Sequence, residues 1–169
     1  MVTYHLKFKM KKMKTLTGAD YHADIEVHCS VQEAFESICR VSGWWTENIE
    51  GRTVSLNDEF TVRFGDTFSS FKITELIPAQ KLVWLVLDCN LHWMKDKKEW
   101  KGTKILWQVS GSGNSSRISM THIGLNAGIE CFEDCTKGWN HYVKVSLLKL
   151  IEEGKGEPDH KKYSALERQ

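Results

Sequence analysis

Gly138-Trp139-Asn140-His141-Tyr142-Val143-Lys144-Val145-Ser146-Leu147-Leu148-Lys149-Leu150-Ile151 is the one long helical pattern in a chain whose middle reads as strands. Trp139, Tyr142, Val143, Ser146, Leu147, Leu150 and Ile151 recur at spacings of three and four, so they share one helical face, while Asn140, Lys144, Lys149 and Glu152 fall where they can meet water. Such a face needs a partner surface, and a sheet is what the rest of the chain offers. Glu130, Glu133 and Asp134 in the first turns suit the helix dipole, and Gly154 provides a stop after the last apolar pair.

Upstream, Tyr21-His22-Ala23-Asp24-Ile25-Glu26-Val27-His28 alternates apolar and polar, the period of a half-buried strand. Ser30-Val31-Gln32-Glu33 reads as a capping box, with Ala34, Phe35 and Ile38 forming a short apolar helical face, and the helix is expected to end near Gly43. Trp44 and Trp45 are adjacent and therefore point in different directions, one to the core and one to a rim. Phe60–Phe64 and Phe68–Leu76 flank a Gly65-Asp66 turn, Pro78 closes the second arm, and Leu82–Leu87 is apolar on both parities, as in a central or doubly covered strand. Cys89–Lys101 reads as a long charged connection. Thr103–Ser110 and Ser116–Ile123 form a second hairpin around Gly111-Ser112-Gly113-Asn114. Strands joined by short turns imply an antiparallel meander.

A chain of 169 residues suits one domain, and 23 basic against 22 acidic residues give a net charge of +1, so nothing global attracts nucleic acid or an anionic membrane. The expectation is no nucleic-acid partner and no membrane span. Five scattered cysteines without a secretory signal point to the cytoplasm. Cys131 and Cys135 share one side of a helix, but no Cys/His set with zinc spacing accompanies them, so they read as ordinary thiols, and no metal or cofactor is expected. Residues 1–20 read as a basic extension, with Lys7, Lys9, Lys11, Lys12 and Lys14 and a Tyr4, Leu6, Phe8 alternation that would also fit an added edge strand. Residues 21–154 form the domain and 155–169 a flexible tail.

Four motifs stand in order: Gly43-Trp44-Trp45-Thr46, Pro78-Ala79-Gln80-Lys81-Leu82-Val83-Trp84, Thr121-His122-Ile123-Gly124-Leu125 and Gly138-Trp139. In this order the chain resembles the START-like (SRPBCC) superfamily. Within it, the chain is most similar to the domain of the activator of heat-shock protein 90 ATPase homologue family. The resemblance implies an α+β helix-grip fold, a curved antiparallel sheet wrapped around a long C-terminal helix, enclosing a cavity that ranges across the superfamily from ligand-sized to nearly closed. The aromatic loop of Leu91, His92, Trp93 and Trp100 departs from the family pattern.

Strand parity turns Phe60, Val62 and Phe64, then Phe71 and Ile73, Trp84 and Val86, Ile105, Trp107 and Val109, and Ile118, Met120 and His122 toward the helix. The candidate ligand lining takes Phe60, Phe64, Phe71, Trp84, Trp107, Met120 and His122 from the sheet, Trp45 from the tryptophan pair, and Trp139, Tyr142 and Ser146 from the helix. A core uses the same residue types, so parity leaves open whether they enclose space or fill it, and whether His122 meets a ligand or a buried partner. No Gly-x-Ser-x-Gly elbow, phosphate-cradling loop or His-Glu-x-x-His pair occurs. His22, Asp24, Glu26 and His28 fall on one solvated face. The leading expectation is a non-enzymatic binding domain for an apolar or aromatic small molecule. The resemblance implies a second reading, contact with a heat-shock protein 90-type chaperone, although that family's eukaryotic activators add an N-terminal domain for which 1–20 leave no room. A third is a cyclase or hydrolase using His122, Tyr142 and Glu59. Monomer and homodimer both remain open, Trp93 and Trp100 being loop aromatics that a dimer contact could bury.

Overall fold

The structure, a computed structural model, describes residues 18–162. The expected basic extension and its edge-strand alternative lie almost wholly outside these residues. Strand β1 (Tyr21–Val27) alternates buried and exposed at every position, as its pattern dictates. After a short bend Ser30 caps α1 (Val31–Cys39), its hydroxyl accepting from the Glu33 N–H at 3.1 Å. The backbone breaks at Arg40, and a single turn, α2 (Val41–Trp44), delivers the tryptophan pair.

Strands β2 (Ile49–Gly51), β3 (Glu59–Phe64), β4 (Thr67–Ile77), β5 (Lys81–Asn90), β6 (Lys104–Ser112) and β7 (Ser115–Ile123) then run as an antiparallel meander. With β1 paired to β7, the seven-stranded order is β1-β7-β6-β5-β4-β3-β2, which makes the doubly apolar β5 the central strand. Strand β2 was not expected from sequence, because three residues are too few to show a period. Helix α3 (Phe132–His141), a π-helical stretch (Tyr142–Leu147) and α4 (Leu148–Glu153) follow end to end, stopped by Gly154 at φ 80°. Trp139, Val143, Ser146, Leu147 and Leu150 are buried against the sheet and α2. His28 ties β1 to the end of this helix through the Glu152 carboxylate at 3.1 Å.

The connection after β5 is more than a solvated run of charge. Leu91, Met94 and Trp100 are buried, and the Glu99 carboxylate accepts from the backbone N–H groups of Glu130 (2.8 Å) and Cys131 (3.0 Å). The loop thus braces the start of α3, satisfying the N–H of its N-cap residue Cys131 and that of Glu130 just before it. Glu130 returns the contact, accepting from the Lys95 N–H at 3.2 Å. Trp100, expected as an exposed loop aromatic, is part of the core for this reason; Trp93 is 48% exposed.

Residues 155–159, expected within a flexible tail, lie along the domain. Ser146, fully buried, donates its hydroxyl to the Trp44 carbonyl at 2.6 Å and accepts from the Glu157 N–H at 2.7 Å. Asp159 pairs its backbone with Trp45 and Glu47 at 2.9 Å each. Gly156 fits only without a side chain: a Cβ there would stand 2.5 Å from the Gly43 oxygen and 2.8 Å from the Ser146 oxygen. Gly156→Ala is therefore expected to lift this segment at a cost of about 1–3 kcal/mol. Limited trypsin digestion would show faster cleavage at Lys155 and Lys161 than in the wild type; unchanged protection would contradict the packing described.

Candidate ligand-binding cleft

The space between sheet and helix is occupied first by tryptophan. Trp44 stacks on Trp45 (centroids 5.8 Å apart, planes at 7°) and meets Trp107 edge-on at 5.6 Å. Its indole N–H donates to the Ile38 carbonyl at 3.1 Å, which fixes the ring. Phe60, Phe71, Trp84, Trp107 and Met120, all drawn by parity toward the helix, are at most 2% exposed. They belong to the packed core, where Trp44 meets Trp84 and Trp107, and none of them lines the open cleft. Ser146 is likewise removed from any ligand, holding the Trp44 carbonyl and the 155–159 segment.

His122 is also fully buried, and its hydrogen bonds define its state. The Trp139 indole can only donate, and its Nε1–H lies 3.1 Å from His122 Nδ1, so Nδ1 is the unprotonated acceptor. The proton then sits on Nε2 and is donated to Thr103 Oγ1 at 2.9 Å, whose own hydrogen goes to the Trp100 carbonyl at 2.6 Å. Burial pushes the His122 pKa down to about 3. The ring is a neutral link between helix, strand and loop, with both nitrogens engaged.

Space remains at one end of the sandwich, a cleft of about 360 Å³. Trp45, Phe64 and Ser69 line its sheet side, Leu91, Trp93 and Trp100 its loop side, and Asp134, Cys135, Gly138, Trp139 and Tyr142 its helix side. Trp139 is 4.8 Å from Trp45 and stacks on Trp100 at 5.8 Å; Phe64 is 6.1 Å from both Trp45 and Tyr142. Four of the expected lining residues, Trp45, Phe64, Trp139 and Tyr142, therefore meet here. Tyr142, at the start of the π-helical stretch, has its phenol pKa raised by burial. The Trp93 indole N–H donates to Asp134 Oδ2 at 3.1 Å, which holds this exposed ring at the lip.

Sequence reasoning missed Leu91, Trp93 and Trp100, although apolar residues spaced through a charged loop were a usable signal. It also passed over Gly138 as a lining residue. A glycine inside a helix lowers its stability by about 0.5–1 kcal/mol relative to alanine. No packing demands it here, since a Cβ at Gly138 would find no atom within 4 Å. The glycine leaves one wall of the cleft low.

The arrangement offers little for catalysis. His122 lies behind Trp139 and Trp100, Glu59 alternates onto the outer face of β3, and of the three only Tyr142 reaches the cleft. Cys135 shares a thiol–thiol hydrogen bond with Cys131, which together with burial pushes its thiol pKa far up and leaves it un-ionised at neutral pH. Among the described residues no group of three or more His, Cys, Asp or Glu side chains converges as a metal site would require. On the far face of β1, Asp24 is held down to about 2 by the Ser119 hydroxyl and Arg117, an exposed network of the expected kind.

No protein-family model matches the sequence, and no curated protein matches it significantly. Solved structures do. The chain is similar to the Aha1 dimer from Colwellia psychrerythraea at 23% identity and a TM-score of 0.66, over 82% of this chain and 99% of that one. It is similar to protein SSP2350 from Staphylococcus saprophyticus at 14% identity and a TM-score of 0.62, over 82% and 95%. A third match is DynU16, a putative protein in the dynemicin biosynthetic locus, at 17% identity and a TM-score of 0.60, over 86% of this chain and 51% of that one. No helix among the described residues is long and apolar enough to cross a membrane. At these identities the likeness bears on architecture alone, and it agrees with the element order: the chain has the α+β helix-grip fold of START-like proteins, a seven-stranded antiparallel sheet gripping a C-terminal helix.

Proposed function

We propose that this domain is a non-enzymatic binding module that holds an apolar or aromatic small molecule in the cleft between Trp45, Trp100 and Trp139. The observation that carries this reading is Gly138, a helical glycine facing open space in an aromatic wall. A pocket lined by aromatics with a few placed polar groups is the usual form of a small-molecule site. The same reading puts the domain in the cytoplasm, as a monomer or homodimer.

Native mass spectrometry of freshly purified protein, followed by titration with ANS and fatty acids, tests the proposal when done beside Gly138→Leu. Space is open at the Cβ position, so the leucine is expected to extend into the cleft, and the variant to fold about as stably as the wild type and to bind about tenfold more weakly. Equal binding by the two proteins, or none by the wild type, would remove the cleft as the site.

The likeness to the Aha1 dimer supports a second reading, a protein-interaction domain acting on a heat-shock protein 90-type chaperone. It predicts association with the cognate chaperone and a changed ATPase rate, both unaffected by Gly138→Leu. Absence of both effects disposes of it.

A further inference from the structure

The cleft has an electrostatic sign. Among the described residues Asp134 is its one charged lining residue, and no Lys, Arg or His lines it. Two of the four lysines on the capping loop are turned to other partners: Lys97 Nζ donates to the carbonyls of His92 (2.7 Å) and Met94 (3.0 Å), and Lys98 Nζ pairs with Asp88 at 2.9 Å. The partial positive charge at the start of α3 is met by Glu99, which takes the N–H groups of the N-cap residue Cys131 and of Glu130 before it, and by Glu133 and Asp134 in the first turn. Asp134 uses Oδ2 for the Trp93 indole, and no partner is seen for Oδ1 among the described residues.

The rings of Trp45, Phe64, Trp93, Trp100, Trp139 and Tyr142 line the same cleft as this carboxylate. Aromatic faces carry negative potential, and several converging on one small volume attract a cation more than a neutral body of the same shape. An anion would face Asp134 and the rings with no cation among the described lining residues to pair with, and only the neutral hydroxyls of Thr67, Ser69 and Tyr142 to donate to it. Resting on the cleft reading above, we infer that the natural occupant is an organic cation: an ammonium or quaternary ammonium group on a small apolar or aromatic body, its charge over the rings and toward Asp134.

An isosteric pair separates charge from shape. Phenyltrimethylammonium and tert-butylbenzene have nearly the same size and differ in one charge. Each would be titrated into the full chain, following tryptophan fluorescence and the indole N–H resonances. The cation is expected to bind about tenfold tighter than its neutral twin. In Asp134→Asn, whose amide oxygen can still accept from Trp93, the cation is expected to weaken about three- to tenfold while the neutral compound is unchanged. Equal or tighter binding of tert-butylbenzene would overturn this inference and leave an apolar cleft standing. Failure of both compounds to bind would overturn the inference and the cleft reading together.

Discussion

Between pH 6.5 and 3 the domain is expected to lose roughly 4–5 kcal/mol of stability through His122 alone, the equivalent of its pKa displacement at about 1.4 kcal/mol per unit. The ring is neutral in the fold, where burial holds its pKa to about 3. The unfolded chain takes up a proton near pH 6.5, so within this window the unfolded state binds more protons and stability falls as pH falls. Above pH 6.5 the contribution is complete. Protonation in the fold would also put a hydrogen on Nδ1 against the Trp139 N–H, 3.1 Å away. Urea unfolding at pH 7 and pH 5 is the measurement, made in parallel on His122→Gln, which cannot titrate. The wild type is expected to lose about 2 kcal/mol more than the variant over those two units. Asp24, held down to about 2, titrates below this range and does not confuse the comparison. Parallel losses in the two proteins would show that His122 is not held neutral.

Trp84→Ala is expected to destabilise the domain by about 3–5 kcal/mol, the range for removing a large aromatic from a core that cannot collapse around the void. Trp84 is fully buried in the central strand, with Trp44, Trp45, Phe60, Phe71 and Trp107 all within 6.5 Å of its centroid. Its indole N–H has no hydrogen-bond partner among the described residues. Trp84→Phe therefore loses ring volume but also removes a buried donor that costs about 1–3 kcal/mol to leave unpaired, and should stay within about 1–2 kcal/mol of the wild type. Chemical denaturation of both variants checks the pair. A phenylalanine variant as unstable as the alanine one would mean that the N–H, or the full indole shape, matters more than the packing shows.

Much of this architecture was legible. Alternation in β1, β3, β4, β6 and β7 reflects which face is buried, and the buried positions of those strands fall on the expected parity, while in the doubly apolar β5 Val83 and Cys89 are buried on the opposite parity from Trp84 and Val86. Ser30 and Gly154 marked helix ends because capping is a local matter of one side chain or one backbone angle. The candidate site was legible only in part. Trp45, Phe64, Trp139 and Tyr142 meet at the cleft, whereas Phe60, Phe71, Trp84, Trp107 and Met120 face a filled volume. Parity gives direction but not distance, and the occupant of that volume, Trp44, comes from a four-residue helix with no period to read. Trp100 was misplaced for a related reason. A loop dense in lysine reads as solvated until the α3 terminus that Glu99 caps is brought beside it.

The C-terminal helical pattern and the strand periods around it were enough to determine a sheet gripping a helix, because burial of a face is encoded residue by residue along each element. Whether the grip closes on itself was decided by tertiary structure. Free volume is what remains after side chains from unconnected elements have been placed together: Trp44 fills the centre, the Glu99 loop brings Trp93 and Trp100 to one end, and Gly138 leaves that end open.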